Sequence, residues 1–150
     1  MIFMPIPLPA LHHVGVVVPD SAAAAADFER RWGVAAGQPF DLDLPQALFR
    51  GVPVDVSARY RFVDTGASQV ELIEPLSGQS PYSEFLEERG EGVHHLAYFV
   101  ERIDAYLDGL RKAGESVDIQ FDATIPGRGR FVYLDGLAHG PAIELVEVPS

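Results

Sequence analysis

Two short patterns each occur twice in this 150-residue chain. Leu11-His12-His13-Val14 returns as Val93-His94-His95-Leu96, an offset of 82 from His13 to His95. Val70-Glu71-Leu72-Ile73-Glu74 returns as Ile143-Glu144-Leu145-Val146-Glu147, an offset of 73 from Glu71 to Glu144. The offsets differ, so loops change length between the copies while the elements persist. Such a repeat means two copies of one supersecondary unit that cannot bury its apolar face alone. Each copy reads strand–helix–strand–strand–strand. The expected fold is α+β: two βαβββ modules in one chain, related by a pseudo-twofold, with curved mixed sheets around a cleft.

The punctuation supports this order. Leu11 to Val18 is β-branched and apolar, a strand, and Pro19-Asp20-Ser21 stops it and supplies a helix N-cap. Ala22 to Trp32 reads as a helix with Ala26, Phe28 and Trp32 available to the core, ended by Gly33. Residues 34 to 52 are rich in Gly, Pro and Asp and read as loop with room for a short strand. Strands follow at Val54 to Val63 and Gln69 to Ile73, then a short helix from Tyr82 to Arg89. The second copy has a strand at Val93 to Val100 and a helix at Ile103 to Ala113, with Ile103, Tyr106, Leu107 and Leu110 at helical spacing. Its last three strands are Val117 to Phe121, Arg130 to Leu134 and Ala142 to Val148. Residues 1–10 read as an extended lead-in. Residues 11–92 form the first module with a linker helix and 93–150 the second, in one compact domain.

Composition removes several classes. The chain has 11 Lys and Arg against 22 Asp and Glu, net charge −11, which argues against a nucleic-acid partner. No apolar run approaches the ~18 residues of a membrane span. There is no cysteine, so disulfides and thiolate metal sites are excluded. The apolar start has no basic n-region and is broken by Pro5, Pro7 and Pro9. It does not read as a signal peptide, and the expected setting is cytoplasmic.

The repeated residue types carry the chemistry. Each half offers histidines on its first strand and glutamates on its last. Two imidazoles and two carboxylates suit one divalent ion such as Co, Mn, Ni or Zn. Side chains alternate faces along a strand, so His12 and His13 are expected to point opposite ways, as are His94 and His95. Alternation alone does not choose between them. Glu71 and Glu144 sit in the apolar middles of their strands, where a carboxylate needs a partner; Glu74 and Glu147 sit at the ends.

The arrangement resembles the vicinal oxygen chelate superfamily of paired βαβββ modules. Within it, Val70 to Leu76, Ser80-Pro81-Tyr82-Ser83-Glu84-Phe85-Leu86 and Gly90-Glu91-Gly92-Val93-His94-His95-Leu96-Ala97 resemble methylmalonyl-CoA epimerases. The likeness runs from about Leu11 to Glu147 and is thin between Val34 and Val63. It implies His13, Glu71, His95 and Glu144 as metal ligands. It also implies an acidic base on a first-half strand, for which Asp55 is the candidate. The family's His-Pro-Lys segment before the last strand is replaced here by Leu134-Asp135-Gly136-Leu137-Ala138-His139-Gly140-Pro141.

Four protein ligands leave up to two adjacent positions of an octahedral shell for a substrate with neighbouring oxygens. A Lewis acid there stabilises an enolate and makes the α-proton removable. The proton carrier is then Glu144, Glu71 or Asp55. The expected activity is a metal-dependent epimerase, isomerase or lyase on a small carbonyl compound, including an acyl-CoA such as methylmalonyl-CoA. A glyoxalase-like lyase and a drug-sequestering binding protein are the alternatives. Arg128 and Arg130, in a Gly-containing loop, are candidates for an anionic part of the substrate. A homodimer is expected, because curved sheets of this kind leave open edges that need covering. His12 and His94 are expected to be dispensable for metal binding.

Overall fold

The computed structural model describes residues 5–135 and 140–149. The first module runs β1 (His13–Val17), α1 (Ser21–Trp32), β2 (Phe40–Phe49), β3 (Val52–Asp64) and β4 (Gln69–Ser77). A linker helix α2 (Pro81–Arg89) leads to the second module: β5 (Gly92–Val100), α3 (Ile103–Lys112), β6 (Ile119–Ile125), β7 (Gly129–Leu134) and β8 (Ala142–Glu147). In each module the first strand lies parallel to the last, β1 beside β4 and β5 beside β8; the remaining pairs are antiparallel.

The modules meet along β1 and β5, where His13 faces Ala97 and Gly15 faces His95. The sheets also curve far enough for their other rims to touch. Leu48 pairs with Asp122 and Phe49 with Phe121, closing the order β1-β4-β3-β2-β6-β7-β8-β5 into a barrel. The expected cleft therefore lies inside a closed ring of strands. The outer strands β2 and β6 pair with each other within the chain, so these two strands leave no open edge of the kind that argued for a dimer.

Strand parity sorts the core into an inner and two outer layers. Val54, Val56, Ala58 and Tyr60 of β3 join Phe131 and Tyr133 of β7 inside the barrel. Helix α3 covers the outer face of the second module through Ile103 and Leu107 against Val132 and Leu145. Helix α1 covers the first with Ala25 and Phe28 against Val63 and Leu72. Trp32, expected in that core, is 68% exposed; it ends the helix just before the left-handed Gly33, beyond the edge of the packed face. The linker α2 behaves differently from the other helices. Its Tyr82, Phe85 and Leu86 pack into the barrel's inner cluster.

The stretch from 34 to 52 is the main departure from the sequence expectation. It holds a ten-residue strand, β2, whose Phe40, Leu42 and Leu44 face the inner core. Its pattern is hidden by Asp41, Asp43 and Pro45, and by an irregularity between Leu44 and Ala47 where Gln46 takes φ 55°.

The second glutamate of each repeated pair has a structural task. Glu74 Oε1 accepts from Ser21 N at 2.7 Å, and Glu147 Oε1 accepts from Ile103 N at 2.8 Å. Three residues from Glu71 and Glu144, these carboxylates lie on the opposite strand face. From there they reach the N-termini of α1 and α3, where unpaired N–H groups and the helix dipole favour an anion.

Candidate metal centre

Inward parity at the middles of β4 and β8 sends Glu71 and Glu144 into the barrel. The start of β1 and the middle of β5 send in His13 and His95. All four are buried, His95 completely. His13 Nε2 lies 3.4 Å from Glu71 Oε1 and 3.1 Å from Glu144 Oε1; His95 Nε2 lies 3.5 Å and 3.4 Å from the same two atoms. Donors bound to one ion at about 2.0–2.3 Å stand roughly 3.0–3.6 Å apart when adjacent, so these separations fit a shared divalent cation. The hydrogen bonding points the same way. His13 Nε2, His95 Nε2 and Glu144 Oε1 are buried and have no partner outside this group. Buried polar atoms that face only one another are an arrangement a metal ion would satisfy.

The charges are interlocked. Burial opposes protonation of His13, but Glu144 and Glu71 outweigh it and raise the imidazole to about 10. Burial also works against His95, yet Glu144 and then Glu71 raise it. Burial would lift both carboxyls. Instead the facing imidazoles lower them: His13 and His95 act on Glu71, and His95 and His13 hold Glu144 at about 2. The imidazoles are thus pushed toward the charged form and the carboxyls held toward theirs by one another, and a divalent cation bound among them would take the place of the imidazole protons.

The structure does not bring the other candidates here. Asp55 is exposed, one residue out of phase with the inward Val54 and Val56. Its Oδ1 accepts from Gln46 N at 2.9 Å and so braces the irregular turn of β2. It is not positioned as a base. Arg130 projects from the outer face of β7 and is held by Asp122 at 2.9 Å and Asp104 at 3.0 Å. Arg128 is exposed on the β6–β7 turn. Both arginines lie outside the barrel. In the stretch that replaces the family's His-Pro-Lys segment, residues 136–139 lie outside the described residues.

Sequence parity missed His94. Across β1–β5, Gly15 faces His95 but Val16 faces Val93, so His94 is an extra residue on β5, a β-bulge. The bulge turns two consecutive side chains inward: His94 is 5% exposed and His95 is 0%. The two rings do not oppose each other across the sheet. His94 packs edge-on against Tyr82, Phe85 and Tyr133. It also lines a groove of about 900 Å³ beside α2, which none of the four cage residues lines.

Three tyrosines complete the interior. Tyr60 OH donates to Tyr82 OH at 3.1 Å, and Tyr82 OH lies 2.6 Å from Tyr133 OH. Tyr60 and Tyr133 are 73 positions apart, the same offset as Glu71 and Glu144, so they are equivalent positions of the two modules. Tyr82, from the linker, joins them near the pseudo-twofold.

The profile described as glyoxalase/bleomycin resistance protein/dioxygenase superfamily matches residues 12–133. The chain belongs to this superfamily. Among its superfamily relatives, the ethylmalonyl-CoA/methylmalonyl-CoA epimerase of Cereibacter sphaeroides is 35% identical over 108 residues, 71% of this chain and 72% of that protein. The mitochondrial methylmalonyl-CoA epimerase of Homo sapiens is 33% identical over 103 residues, 68% of this chain; the match spans about half, 52%, of the human protein. The crystal structure of methylmalonyl-CoA epimerase from Mycobacterium tuberculosis superposes with a TM-score of 0.69 at 25% identity, covering 95% of this chain and 90% of that one. Among the described residues, no helix of this superfamily member is long and apolar enough to cross a membrane.

Proposed function

We propose that this chain is a metal-dependent epimerase acting on an acyl-CoA thioester, with methylmalonyl-CoA or a close homologue as substrate. The observation that carries the reading is the convergence of His13, Glu71, His95 and Glu144, two from each module, on one buried point. The similarity to epimerases named for such substrates supplies the substrate class.

Epimerisation removes a proton from one face of a carbon next to a carbonyl and returns one to the other face. A bound divalent ion supplies the positive charge that makes such a proton acidic. The remaining work falls to the chain. Glu71 and Glu144 are the only carboxylates buried among the described residues, and they approach from opposite modules. One accepts the proton at a carboxylate oxygen while the other stands on the opposite side of the pseudo-twofold to return it. His13 and His95 hold both carboxylates deprotonated. Tyr133 packs against His95, ring centres 4.8 Å apart, and helps set the plane of that imidazole.

The test is deuterium incorporation at C2 of methylmalonyl-CoA in deuterated water, with the chain loaded with Co(II) and again after chelation. Exchange is expected with metal and lost without it, and Glu144→Gln should lower metal affinity and exchange together. A protein that binds one ion per chain yet exchanges no acyl-CoA proton would remove the epimerase reading and leave a glyoxalase-like or ligand-sequestering role.

A further inference from the structure

Each cage histidine is held by the histidine that precedes it. His12 Nδ1 lies 2.8 Å from His13 Nδ1, and His94 Nδ1 lies 2.9 Å from His95 Nδ1. The contact recurs in both modules although the backbone makes it in different ways. In the second, a bulge turns His94 inward. In the first, His12 precedes the strand proper, is half-buried, and stacks on Phe99 with ring centres 4.0 Å apart. The same atom pair reached through two local geometries points to a constraint on the imidazoles themselves, not to a by-product of one bulge.

A neutral imidazole carries one proton on one of its two nitrogens, and the partner of the first nitrogen decides which. His13 Nε2 and His95 Nε2 face the carboxylates of the cage. For Nε2 to offer its lone pair to a metal, the proton must sit on Nδ1 and must have an acceptor there. Ligating histidines ordinarily donate this proton to a carboxylate, a carbonyl or water. Here the atom in place is another imidazole nitrogen.

We propose that His12 and His94 are positioning residues. Each accepts, at its own Nδ1, the Nδ1–H of the next histidine, and so fixes His13 and His95 as Nε2 ligands with set ring planes. His94 has the larger effect because Tyr82, Phe85 and Tyr133 clamp its ring and it is more deeply buried than His12. His12 is half-buried, so water takes over part of its role when it is removed. The proposal rests on the metal reading of the cage and reverses the sequence expectation that the first histidine of each pair is dispensable.

Zn(II) affinity, measured by competition with a chromophoric chelator, tests it on the full chain. His94→Leu fills the space without an acceptor and should weaken Zn(II) binding by about 10–100-fold. His94→Asn places an amide oxygen close to the lost Nδ1 and should recover most of that loss. His12→Leu should cost only a few-fold. The visible spectrum of the Co(II)-loaded His94→Leu protein should shift from wild type, and that of His94→Asn should return towards it. Nitrogen-15 spectra of the Zn(II)-loaded wild type give an answer that needs no variant: a coupling across the His94–His95 Nδ1 pair, with the proton on His95 Nδ1. Ligation of His95 through Nδ1 overturns the proposal, as does a His94→Leu protein that binds Zn(II) like wild type. Equal losses in the Leu and Asn variants mean that His94 acts by packing alone, and also overturn it. A wild-type chain that binds neither ion removes the metal reading itself, an outcome distinct from these.

Discussion

A methyl group at position 15 would overlap the His95 imidazole. Gly15 faces His95 across the β1–β5 pair, while its pseudo-equivalent Ala97 faces His13 and carries a side chain without hindrance. The bulge at His94 accounts for the difference, because it lays the His95 ring over Gly15. Gly15→Ala should push that ring off the cage and lower Zn(II) affinity by about 10–100-fold, read by the same competition assay; unchanged affinity would show that the ring has room to move. His13 makes a pH prediction. Against burial, Glu144 and Glu71 raise it from its ordinary 6.5 to about 10. The stability it lends the metal-free chain is therefore fully present below pH 6.5 and is lost as pH rises through about 10. A ligating imidazole must be neutral, so metal binding at pH 7 should release protons. Calorimetric titration in two buffers of different ionisation enthalpy reads the number, and zero release would contradict the raised imidazoles.

Tyr82 makes α2 more than a connector. The helix starts with a capping box at Ser80 and Ser83, and the tyrosine two residues past the cap enters the barrel. There its hydroxyl is shared by Tyr60 of one module and Tyr133 of the other. Three hydroxyls in two hydrogen bonds leave one proton over, and burial, with the cage carboxylates and neighbouring tyrosines adding to it, raises all three groups. Tyr82→Phe keeps the ring and removes the shared hydroxyl, leaving Tyr60 and Tyr133 without this partner. The expected cost is about 1–3 kcal/mol, measured by denaturant unfolding with metal affinity followed in parallel. A cost near zero would mean that water or the neighbouring groups satisfy the two hydroxyls.

The barrel has two seams between its modules, and they are unequal. The β1–β5 seam pairs five residues of each strand and carries both cage histidines, His13 and His95. The β2–β6 seam pairs two, Leu48 with Asp122 and Phe49 with Phe121, with Arg50 N donating to Gln120 O at 2.8 Å just beyond. Hydrogen exchange should therefore open β2–β6 first, with amides such as Phe49 and Arg50 exchanging well before those of Gly15 and His95. Uniform protection around the barrel would show that it opens only by global unfolding.

Much of this is legible in the sequence alone. The two offsets, 82 and 73, are enough to read two modules and to align His13 with His95 and Glu71 with Glu144, because a repeated unit must repeat its inward positions. Period-two parity separated Glu71 from Glu74 correctly, since β4 is regular there. Parity failed at His94, where one extra residue shifts the phase and no local residue type announces it. It also failed along β2, where acidic residues and Pro45 mask the apolar alternation. Asp55 went outward by the same parity, one residue out of step with Val54 and Val56. Contacts between elements distant in sequence were beyond local reading altogether: the closing seam, the capping of α1 and α3 by Glu74 and Glu147, the tyrosine trio, and the engagement of Arg130 by Asp122 and Asp104. Local sequence determines which face a residue occupies while the strand stays regular. What that residue meets depends on how far the sheets curve and where a bulge resets the count, and these are set by packing of the whole barrel.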